Sequence, residues 1–221
     1  MPAETLRCRA ILFDFDGVLV DSAANIARHW RQWSADHDVD FAAIMQVAHG
    51  RRMLETLQIV APHLDAEAEA QRYSAIQAAD VDDVVTIDGA AALLNSLPPG
   101  TWAIVTSGFG VVVPVVLRNG GLPAPKILVT AEDVVHGKPN PEPYLLAAAR
   151  LGCTPAECVV VEDSPAGLAA AAAAGMRSVA VASTHDPAEL RAGTLLAPRL
   201  ADIRVTPHAG GALTIQIAGG G

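Results

Sequence analysis

The stretch that decides the fold is Ala10-Ile-Leu-Phe-Asp-Phe-Asp-Gly-Val-Leu-Val-Asp-Ser22. It opens on four apolar residues, Ala10 to Phe13, and such a short run is typical of a buried strand in a parallel sheet. Asp14 and Asp16 follow with one residue between them, so an extended backbone would project both carboxylates from the same face. Gly17 then allows the chain to turn away. The pattern predicts two acids at the carboxyl end of a strand, where open α/β sheets bind ligands.

Two carboxylates held this close repel each other unless a cation lies between them or one of them keeps its proton. The pair Asp14 and Asp16 therefore indicates either a divalent metal ion or one protonated acid. Phosphoryl transfer is a reaction that could use both features, because it can employ an anionic nucleophile beside a proton donor.

Composition and charge limit the class of protein and its partners. The 221-residue chain is 51% hydrophobic, which indicates a folded domain, and its net charge of -9 argues against nucleic acid as a partner. No apolar run reaches the length of about 18 residues that a membrane span needs, and no signal-peptide pattern opens the chain. Cys8, Cys153 and Cys158 form no CxxC pair and fit a reducing compartment. We therefore expect a cytoplasmic protein without a membrane partner.

The segment from Ser22 to Asp83 shows helical spacing and no strand pattern. Ser22 is a residue type that caps helices, and Ile26, Trp30 and Trp33 then recur at helical spacing. Further helices are predicted over residues 41–47, 53–60 and 66–79. The pattern is typical of a small helical domain inserted after the first strand, with Trp30 and Trp33 in its core.

From residue 84 onward, predicted strands and helices alternate along the chain. The strands are expected over residues 102–106, 127–130, 158–161 and 179–182. The helices are expected over residues 89–97, 111–119, 141–151 and 165–174. Such alternation predicts a parallel sheet covered by helices on both faces. Two final apolar segments flank Gly210 and Gly211, which predicts a β-hairpin near the end of the chain.

Polar residues with catalytic potential stand at four places, at or near the ends of predicted strands. They are Asp14 with Asp16, Thr106-Ser107-Gly108, Lys138 in Gly137-Lys138-Pro139, and Glu162-Asp163-Ser164. Taken singly, the second and fourth are ordinary helix caps, and a lysine is most often a surface residue. Taken together, they offer a nucleophile, an acid, a cradle for phosphate, a cation and a further carboxylate for a metal.

At these motifs the chain resembles the haloacid dehalogenase-like hydrolase superfamily. The motifs are Phe13-Asp-Phe-Asp-Gly-Val-Leu-Val-Asp-Ser22, Val105-Thr-Ser-Gly108, Gly137-Lys-Pro-Asn-Pro-Glu-Pro-Tyr144 and Val161-Glu-Asp-Ser-Pro-Ala-Gly167. The resemblance implies an α/β fold with a Rossmann-like parallel-sheet core, formed by residues 1–19 and 86–221. It also implies an inserted all-α helical cap, formed by residues 20–85.

A narrower similarity is to the sugar-phosphate and polyol-phosphate phosphatases of that superfamily, which include 2-deoxyglucose-6-phosphate and glycerol-3-phosphate phosphatases. The stretches that carry it are Trp30-Arg-Gln-Trp33, His49-Gly-Arg-Arg-Met-Leu-Glu-Thr56 and Trp102-Ala-Ile-Val-Thr-Ser-Gly108. This branch similarity implies a small phosphorylated metabolite as the substrate.

The superfamily resemblance also implies a role for each motif residue. Asp14 would attack phosphorus and form an aspartyl-phosphate, and Asp16 would protonate the leaving oxygen and then deprotonate water. The Thr106 hydroxyl and the Ser107 backbone amide would bind phosphoryl oxygens, and Lys138 would neutralise charge beside the nucleophile. The presence of Asp16 disfavours dehalogenation, because family members that attack carbon lack this second acid.

Magnesium is the cofactor that the resemblance implies. Its ligands would be Asp14, the backbone carbonyl of Asp16, and Asp163, with Glu162 behind these ligands and not bound to the ion itself. Four acids gathered in one place would repel one another without the metal and Lys138.

Substrate selectivity is expected to lie in the cap, at His49, Gly50, Arg51 and Glu55. Gly50 frees the backbone, and Arg51 could reach a hydroxyl or a phosphate oxygen of the substrate. The alternative is a surface helix on which Arg51 and Glu55 pair four residues apart.

The sequence predicts a magnesium-dependent phosphatase of small phosphorylated sugars or polyols that works through an aspartyl-phosphate and acts as a monomer. The alternative is a β-phosphoglucomutase-like phosphosugar mutase, since the same core and cap would serve both reactions. A third possibility, a catalytically silent binding or regulatory protein, would require the loss of a motif acid, and none is missing.

Overall fold

The structure, a computed structural model, describes residues 5–218 and has an α/β architecture. Its strands are β1 (Thr5–Cys8), β2 (Ala10–Phe13), β3 (Val20–Asp21), β4 (Val85–Thr86), β5 (Trp102–Val105), β6 (Leu128–Val129), β7 (Cys158–Glu162), β8 (Arg177–Val181), β9 (Leu195–Ala197), β10 (Ile203–Pro207) and β11 (Leu213–Ile217). Its α-helices are α1 (Ala23–His37), α2 (Phe41–Ala48), α3 (Met53–Val60), α4 (Ala66–Ala79), α5 (Ala90–Ser96), α6 (Val113–Asn119), α7 (Glu142–Arg150) and α8 (Pro165–Ala173). Among these helices, none combines the length and the hydropathy required to cross a bilayer.

A six-stranded parallel sheet forms the centre of the protein, in the order β6-β5-β2-β7-β8-β9. Strand β2 pairs with β5 on one side and with β7 on the other, and its four residues are fully buried. Ile11 and Phe13 join the apolar cluster that includes α5 and α6, whereas Ala10 and Leu12 join the cluster that includes α7 and α8. A strand covered on both faces needs apolar residues throughout. The predicted parallel sheet with helices on both faces is confirmed.

A three-stranded antiparallel sheet, in the order β1-β11-β10, lies beside the main sheet. The hairpin of β10 and β11 is the one predicted from the glycine pair, and it runs from Ile203 opposite Ile217 to Pro207 opposite Leu213. The sequence pattern does not predict β1 or β9. Both are short, and β1 gains its pairing only from β11 at the other end of the chain. Such a strand has little local pattern of its own.

The four helices α1–α4 pack around an apolar cluster of their own, and we refer to them as the helical cap. Trp33 and Trp30 lie in this cluster and are 2% and 6% exposed, as the sequence predicts. Phe109, from the loop after β5, packs into the same cluster and connects the cap to the sheet domain. The inserted helical domain predicted after the first strand is therefore present.

The chain leaves the sheet domain and returns to it through a short antiparallel pair formed by β3 and β4. Close to this pair, Asp80 accepts hydrogen bonds from Arg28 and lies 3.0 Å from His29 Nε2. Asn25 Nδ2 donates to Asp80 O at 3.1 Å and to Asp82 O at 2.8 Å. These contacts fix the start of α1 against the segment that follows α4.

Candidate active site

Loops from separate parts of the chain meet at the carboxyl end of the parallel sheet, beside β2. Asp14 follows β2, and its backbone N–H donates to Val161 O at 2.9 Å. Thr106 directly follows β5, and its backbone N–H donates to Val129 O at 2.9 Å. Asp163 follows β7 directly. The acids and the hydroxyl that the sequence places at separate strand ends therefore lie along one edge of the sheet.

Lys138 supplies the positive charge at this edge, and it is only 1% exposed. Its Nζ lies 2.9 Å from Asp14 Oδ1 and 2.8 Å from Glu162 Oε1, and it donates to Val105 O at 3.1 Å. Burial acts to lower the pKa of Lys138, but the carboxylates of Asp14 and Glu162 overcome this effect and raise the pKa well above its ordinary value. Lys138 is therefore a fixed cation beside Asp14.

Glu162 is fully buried, and both of its carboxylate oxygens are hydrogen-bonded. Oε1 accepts from Lys138 and from Tyr144 Oη at 3.1 Å, whereas Oε2 accepts from the backbone N–H groups of Asp163 and Ser164, both at 2.8 Å. Burial acts to raise the pKa of Glu162, but Lys138 and these donors hold it below its ordinary range. With both oxygens engaged, Glu162 is better suited to orient Lys138 and the following loop than to bind a cation directly.

Two glycines allow the backbone to approach these acids closely. A Cβ at Gly167, in the first turn of α8, would lie 1.6 Å from Glu162 Oε1. A Cβ at Gly17 would lie 2.1 Å from Asp163 Oδ2, and Gly17 also has a left-handed backbone with φ of +78°. Both positions therefore require glycine if Glu162 and Asp163 are to keep their places.

Asp163 supplies the observation that best fits a bound cation. The residue is fully buried, and its Oδ1 has no hydrogen-bond partner within the described residues. One oxygen each from Asp14, Glu162 and Asp163 lie within 4.8 Å of one another. A buried, unpartnered carboxylate oxygen is unfavourable, and hard divalent cations bind oxygen ligands of this kind. The residues present therefore fit such a cation.

The pKa values of the neighbouring acids show the same need for positive charge. Burial, followed by the negative charge of Glu162, raises the pKa of Asp14 well above its ordinary value, although Lys138 opposes this shift. Burial likewise raises the pKa of Asp163 and of Asp16. Full ionisation of these carboxyl groups therefore requires positive charge in addition to Lys138.

Asp16 is held by two hydroxyl groups. Ser22 Oγ donates to its Oδ1 at 2.5 Å, and Thr106 Oγ1 donates to its Oδ2 at 3.4 Å. Ser22 stands at the N-cap position of α1, but the predicted capping by its side chain is wrong, because the hydroxyl is directed to Asp16 instead. Thr106 Oγ1 also accepts from the backbone N–H of Gly108 at 2.9 Å, which fixes the turn after β5.

A cavity of about 120 Å³ lies between this edge of the sheet and the helical cap. Asp14, Asp16 and Ser107 line it from the sheet domain. The helices of the cap and the loop between α2 and α3 contribute Ile26, Trp30, Met45, Arg51, Tyr73 and Gln77. His49 and Gly50 line the cavity as well, so three of the four predicted cap residues face the nucleophile across a common space.

The fourth predicted cap residue, Glu55, does not line this cavity. Its Oε1 accepts from the backbone N–H of Gly137 at 2.7 Å and lies 2.9 Å from Arg52 Nη2. Glu55 therefore pairs with Arg52 three residues earlier, and the alternative pairing with Arg51 is not formed. The contact to Gly137 connects α3 to the loop that carries Lys138, so Glu55 acts on the site through that loop.

Arg52 has a structural position that the sequence analysis does not predict. It is 6% exposed, and its guanidinium donates to Ala131 O at 3.1 Å, to Val134 O at 2.7 Å and to Val135 O at 2.5 Å. The adjacent arginines at positions 51 and 52 thus face different environments. The i, i+3 spacing from Arg52 to Glu55 is the signal in the sequence that could have indicated this pair.

The loop after β8 brings two further residues to Asp163, and sequence analysis predicts neither. Thr184 Oγ1 donates to Asp163 Oδ2, and His185 Nδ1 lies 3.1 Å from Asp163 O. From the cap, His49 Nε2 lies 3.5 Å from the same Asp163 Oδ2, and Ser107 Oγ donates to Gly50 O at 2.8 Å. The position of Thr184 and His185 after the next strand of the sheet is the signal that could have found them, because the other polar residues follow strands too.

Comparison with known proteins places these features in a family. The chain matches the family model of haloacid dehalogenase-like hydrolases over residues 8–175. Hexitol phosphatase A from Escherichia coli is 39% identical over 216 residues, which cover 96% of this chain and 100% of that relative. Glycerol-1-phosphate phosphohydrolase 2 from Saccharomyces cerevisiae is 35% identical over 194 residues, which cover 82% of this chain and 78% of that relative.

Comparison with a solved structure shows the same fold. β-Phosphoglucomutase from Clostridium difficile superposes with a TM-score of 0.72 at 21% identity, and the match covers 89% of this chain and 93% of that chain. At this identity the likeness shows the shared fold alone. The family match, in contrast, contains every one of the four motifs described above and confirms the resemblance seen in the sequence. The chain belongs to the haloacid dehalogenase-like hydrolase family.

Proposed function

We propose that the chain is a phosphatase that hydrolyses small phosphorylated sugars or polyols through an aspartyl-phosphate on Asp14. The observation that carries this proposal is the buried contact between Asp14 Oδ1 and Lys138 Nζ, at 2.9 Å, beside a cavity that Asp16 also lines. This arrangement supports a reaction in which Asp14 is the nucleophile, Lys138 a fixed cation and Asp16 the second acid. The relatives named as phosphatases of hexitols and of glycerol 1-phosphate support the class of substrate.

The first step of the proposed reaction transfers the phosphoryl group to Asp14. A carboxylate oxygen of Asp14 bonds to phosphorus while the ester P–O bond breaks, and Asp16 gives its proton to the leaving oxygen. The Thr106 hydroxyl and the Ser107 backbone N–H bind phosphoryl oxygens, and Lys138 neutralises charge that develops beside Asp14. The alcohol product then leaves.

The second step hydrolyses the aspartyl-phosphate. Asp16, now a carboxylate, accepts a proton from a water molecule, whose oxygen bonds to phosphorus while the bond to Asp14 breaks. Inorganic phosphate leaves, Asp14 is again a carboxylate, and Asp16 is again protonated. The hydroxyl of Ser22 holds Asp16 in position for both proton transfers.

The cation in this proposal is Mg²⁺, held by the carboxylates of Asp14 and Asp163 and by the backbone carbonyl of Asp16, with Glu162 behind them. When bound, such an ion keeps the nucleophile ionised and neutralises phosphoryl oxygens. The unpartnered Oδ1 of Asp163 and the set of oxygen donors support this choice.

In this proposal the chain has two domains: a catalytic core of residues 1–19 and 86–221, and a cap of residues 20–85. His49, Gly50 and Arg51 would contact the part of the substrate that is remote from phosphorus. Arg51 forms no ion pair within the described part of the chain, which leaves its guanidinium free for hydroxyls or phosphate oxygens.

A monomer is the proposed working form, because one chain supplies every side chain of the mechanism. The free thiols of the chain support a cytoplasmic location.

Phosphate release from a panel of hexitol phosphates, glycerol phosphates and 2-deoxyglucose 6-phosphate tests the proposal. We expect turnover in Mg²⁺ and none from Asp14→Asn, whereas Asp36→Asn, at an exposed position on α1, should behave as the wild type. Glucose 1-phosphate tests the mutase alternative. A phosphatase releases inorganic phosphate from it, and a mutase yields glucose 6-phosphate. Turnover by Asp14→Asn equal to that of the wild type would contradict the assignment of the nucleophile.

A further inference from the structure

The carboxylates of Asp14, Glu162 and Asp163 form an acidic hollow, and a second group of side chains that could hold a metal ion lies beside it and shares only Asp163 with it. One ring nitrogen of His49, one ring nitrogen of His185 and a carboxylate oxygen of Asp163 lie within 4.8 Å of one another. The three residues come from the cap, from the loop after β8 and from the loop after β7. His185 has no part in the phosphatase mechanism, so its presence here calls for its own explanation.

The distance between His49 and Asp163 fits a shared cation better than a direct hydrogen bond. His49 Nε2 and Asp163 Oδ2 are 3.5 Å apart, which is longer than the roughly 2.7–3.2 Å of an ordinary N–H···O bond. Two ligands of a tetrahedral zinc ion, each about 2.0–2.2 Å from the metal, lie roughly 3.4 Å apart. The two side chains therefore already stand at the spacing that such an ion imposes.

The surroundings of His185 leave one of its nitrogens available for a metal. Its Nδ1 lies 3.1 Å from Asp163 O and 2.9 Å from Thr184 Oγ1. A carbonyl oxygen only accepts, so this contact favours the tautomer with the proton on Nδ1, in which Nε2 holds the free lone pair. A ring N–H donated to a backbone carbonyl is the usual support of a metal-binding histidine.

We infer that His49, His185 and Asp163 form a binding site for a borderline divalent cation of the Zn²⁺ type, separate from the proposed Mg²⁺ site. Imidazole nitrogens suit zinc, whereas Mg²⁺ prefers oxygen ligands alone. Asp163 serves both sites: its Oδ2 faces His49, and its unpartnered Oδ1 remains available on the side of Asp14.

Occupation of this site would connect the cap to the sheet domain. His49 belongs to the cap loop, whereas His185 and Asp163 belong to the sheet domain, so one ion would join parts that must separate to exchange substrate and product. The side chain of His49 is 44% exposed, which gives the ion a path from solvent. Zn²⁺ therefore inhibits turnover by holding the cap in place and not by replacing Mg²⁺. This consequence rests on the proposed phosphatase function, but the binding itself does not.

Calorimetric titration of the full chain with Zn²⁺, in the presence of saturating Mg²⁺, tests the site directly. We expect one equivalent to bind to the wild type and binding at least about tenfold weaker to His185→Asn. His208→Asn removes an exposed histidine from the β10–β11 hairpin and is the matched control, which should bind as the wild type does. Co²⁺ used in place of Zn²⁺ should give a visible absorption band that His185→Asn loses.

Turnover of p-nitrophenyl phosphate in excess Mg²⁺ tests the expected inhibition by Zn²⁺. Each form is compared with its own rate in the absence of Zn²⁺. Added Zn²⁺ should inhibit the wild type and His208→Asn far more than His185→Asn. Absence of hydrolysis by every form would contradict the proposed function and leave the titration valid.

Two results overturn the inference: Zn²⁺ binding that disappears as Mg²⁺ is raised, and equal Zn²⁺ binding by His185→Asn and the wild type. Circular dichroism checks that the variant folds. If it does not, His49→Gln, measured for Zn²⁺ binding alone, takes its place with the same expected loss.

Discussion

Lys138 Nζ and Asp14 Oδ1 lie 2.9 Å apart in the interior of the protein, where Lys138 is 1% and Asp14 5% exposed. Glu162, the last residue of β7, also contacts Lys138, because its Oε1 lies 2.8 Å from the same Nζ. A buried ion pair is tolerated only while every charge in it is matched, because removal of one partner leaves an uncompensated charge away from water. Lys138 therefore connects the stability of the fold to the chemistry of the site.

Replacement of Lys138 by Ala should lower both stability and activity. We expect the free energy of unfolding to fall by about 3–5 kcal/mol, since Asp14 and Glu162 would remain buried without their cation. We expect kcat/KM to fall by at least about 100-fold, the usual loss when one charge-stabilising group is removed. Urea denaturation and phosphate release measure the two effects. Lys126→Ala, which removes the exposed and only other lysine, is the control, and equal stability of both variants would contradict the prediction.

Mg²⁺ should raise the melting temperature of the wild type but not that of Asp163→Asn. A ligand that binds only the folded state adds about 2.7 kcal/mol of stability at a concentration 100 times its Kd. Asp163 holds the unpartnered oxygen of the acidic hollow, so Asn at this position removes the proposed ligand. Thermal unfolding in EDTA and in Mg²⁺ measures the effect. Asp186→Asn, at an exposed position in the next loop, should keep the full rise, and the same rise in Asp163→Asn would refute the assignment.

Sequence reasoning predicts the centre of the fold because its signals are local. The strand at Ala10–Phe13 is a continuous apolar run followed by acids, and such a run is typical of a strand buried on both faces of a parallel sheet. The helices at Met53–Val60 and Ala66–Ala79 are predicted with the bounds that the structure has, because Pro62 separates two periodic segments. The common position after a strand likewise brings the motif acids together, and the loop after β6 carries Lys138 to them.

The features of the fold and of the site that the sequence pattern does not predict depend on contacts between residues that are distant along the chain. Strand β1 exists because β11 pairs with it, and its own four residues show no distinct pattern. Ser22 has the chemistry of a helix cap, and only the approach of Asp16 directs its hydroxyl elsewhere. Arg52 and His185 are ordinary surface residue types until the fold places backbone carbonyls beside them. Local propensity does not contain this information.

The adjacent arginines should respond differently to replacement by Ala. Arg52 donates to Ala131 O, Val134 O and Val135 O in a largely buried setting, so Arg52→Ala should lower the free energy of unfolding by about 2–3 kcal/mol. Arg51 lines the cavity, so Arg51→Ala should keep the melting temperature and raise KM for polyol phosphates. Each variant is the matched control of the other in thermal unfolding and steady-state kinetics. A loss of stability in Arg51→Ala as large as that in Arg52→Ala would contradict the distinction.

The Asp80 carboxylate should make the stability of the protein depend on pH in the acidic range. The hydrogen bonds from Arg28, and then that from His29, hold the pKa of Asp80 below its ordinary value of 3.8. A carboxyl group with a lowered folded-state pKa contributes stability above its unfolded-state pKa, and this contribution is lost as the pH falls toward the folded-state value.

We therefore expect the wild type to melt above Asp80→Asn at neutral pH and this difference to shrink below about pH 4. Thermal unfolding of both proteins from about pH 7 to pH 3 measures it. Asp82→Asn is the control, because the exposed side chain of Asp82 lies in the same segment and only its backbone contacts Asn25 and Arg28. A difference between the wild type and Asp80→Asn that stays constant over this range would show that ionisation of Asp80 does not stabilise the junction between cap and sheet domain.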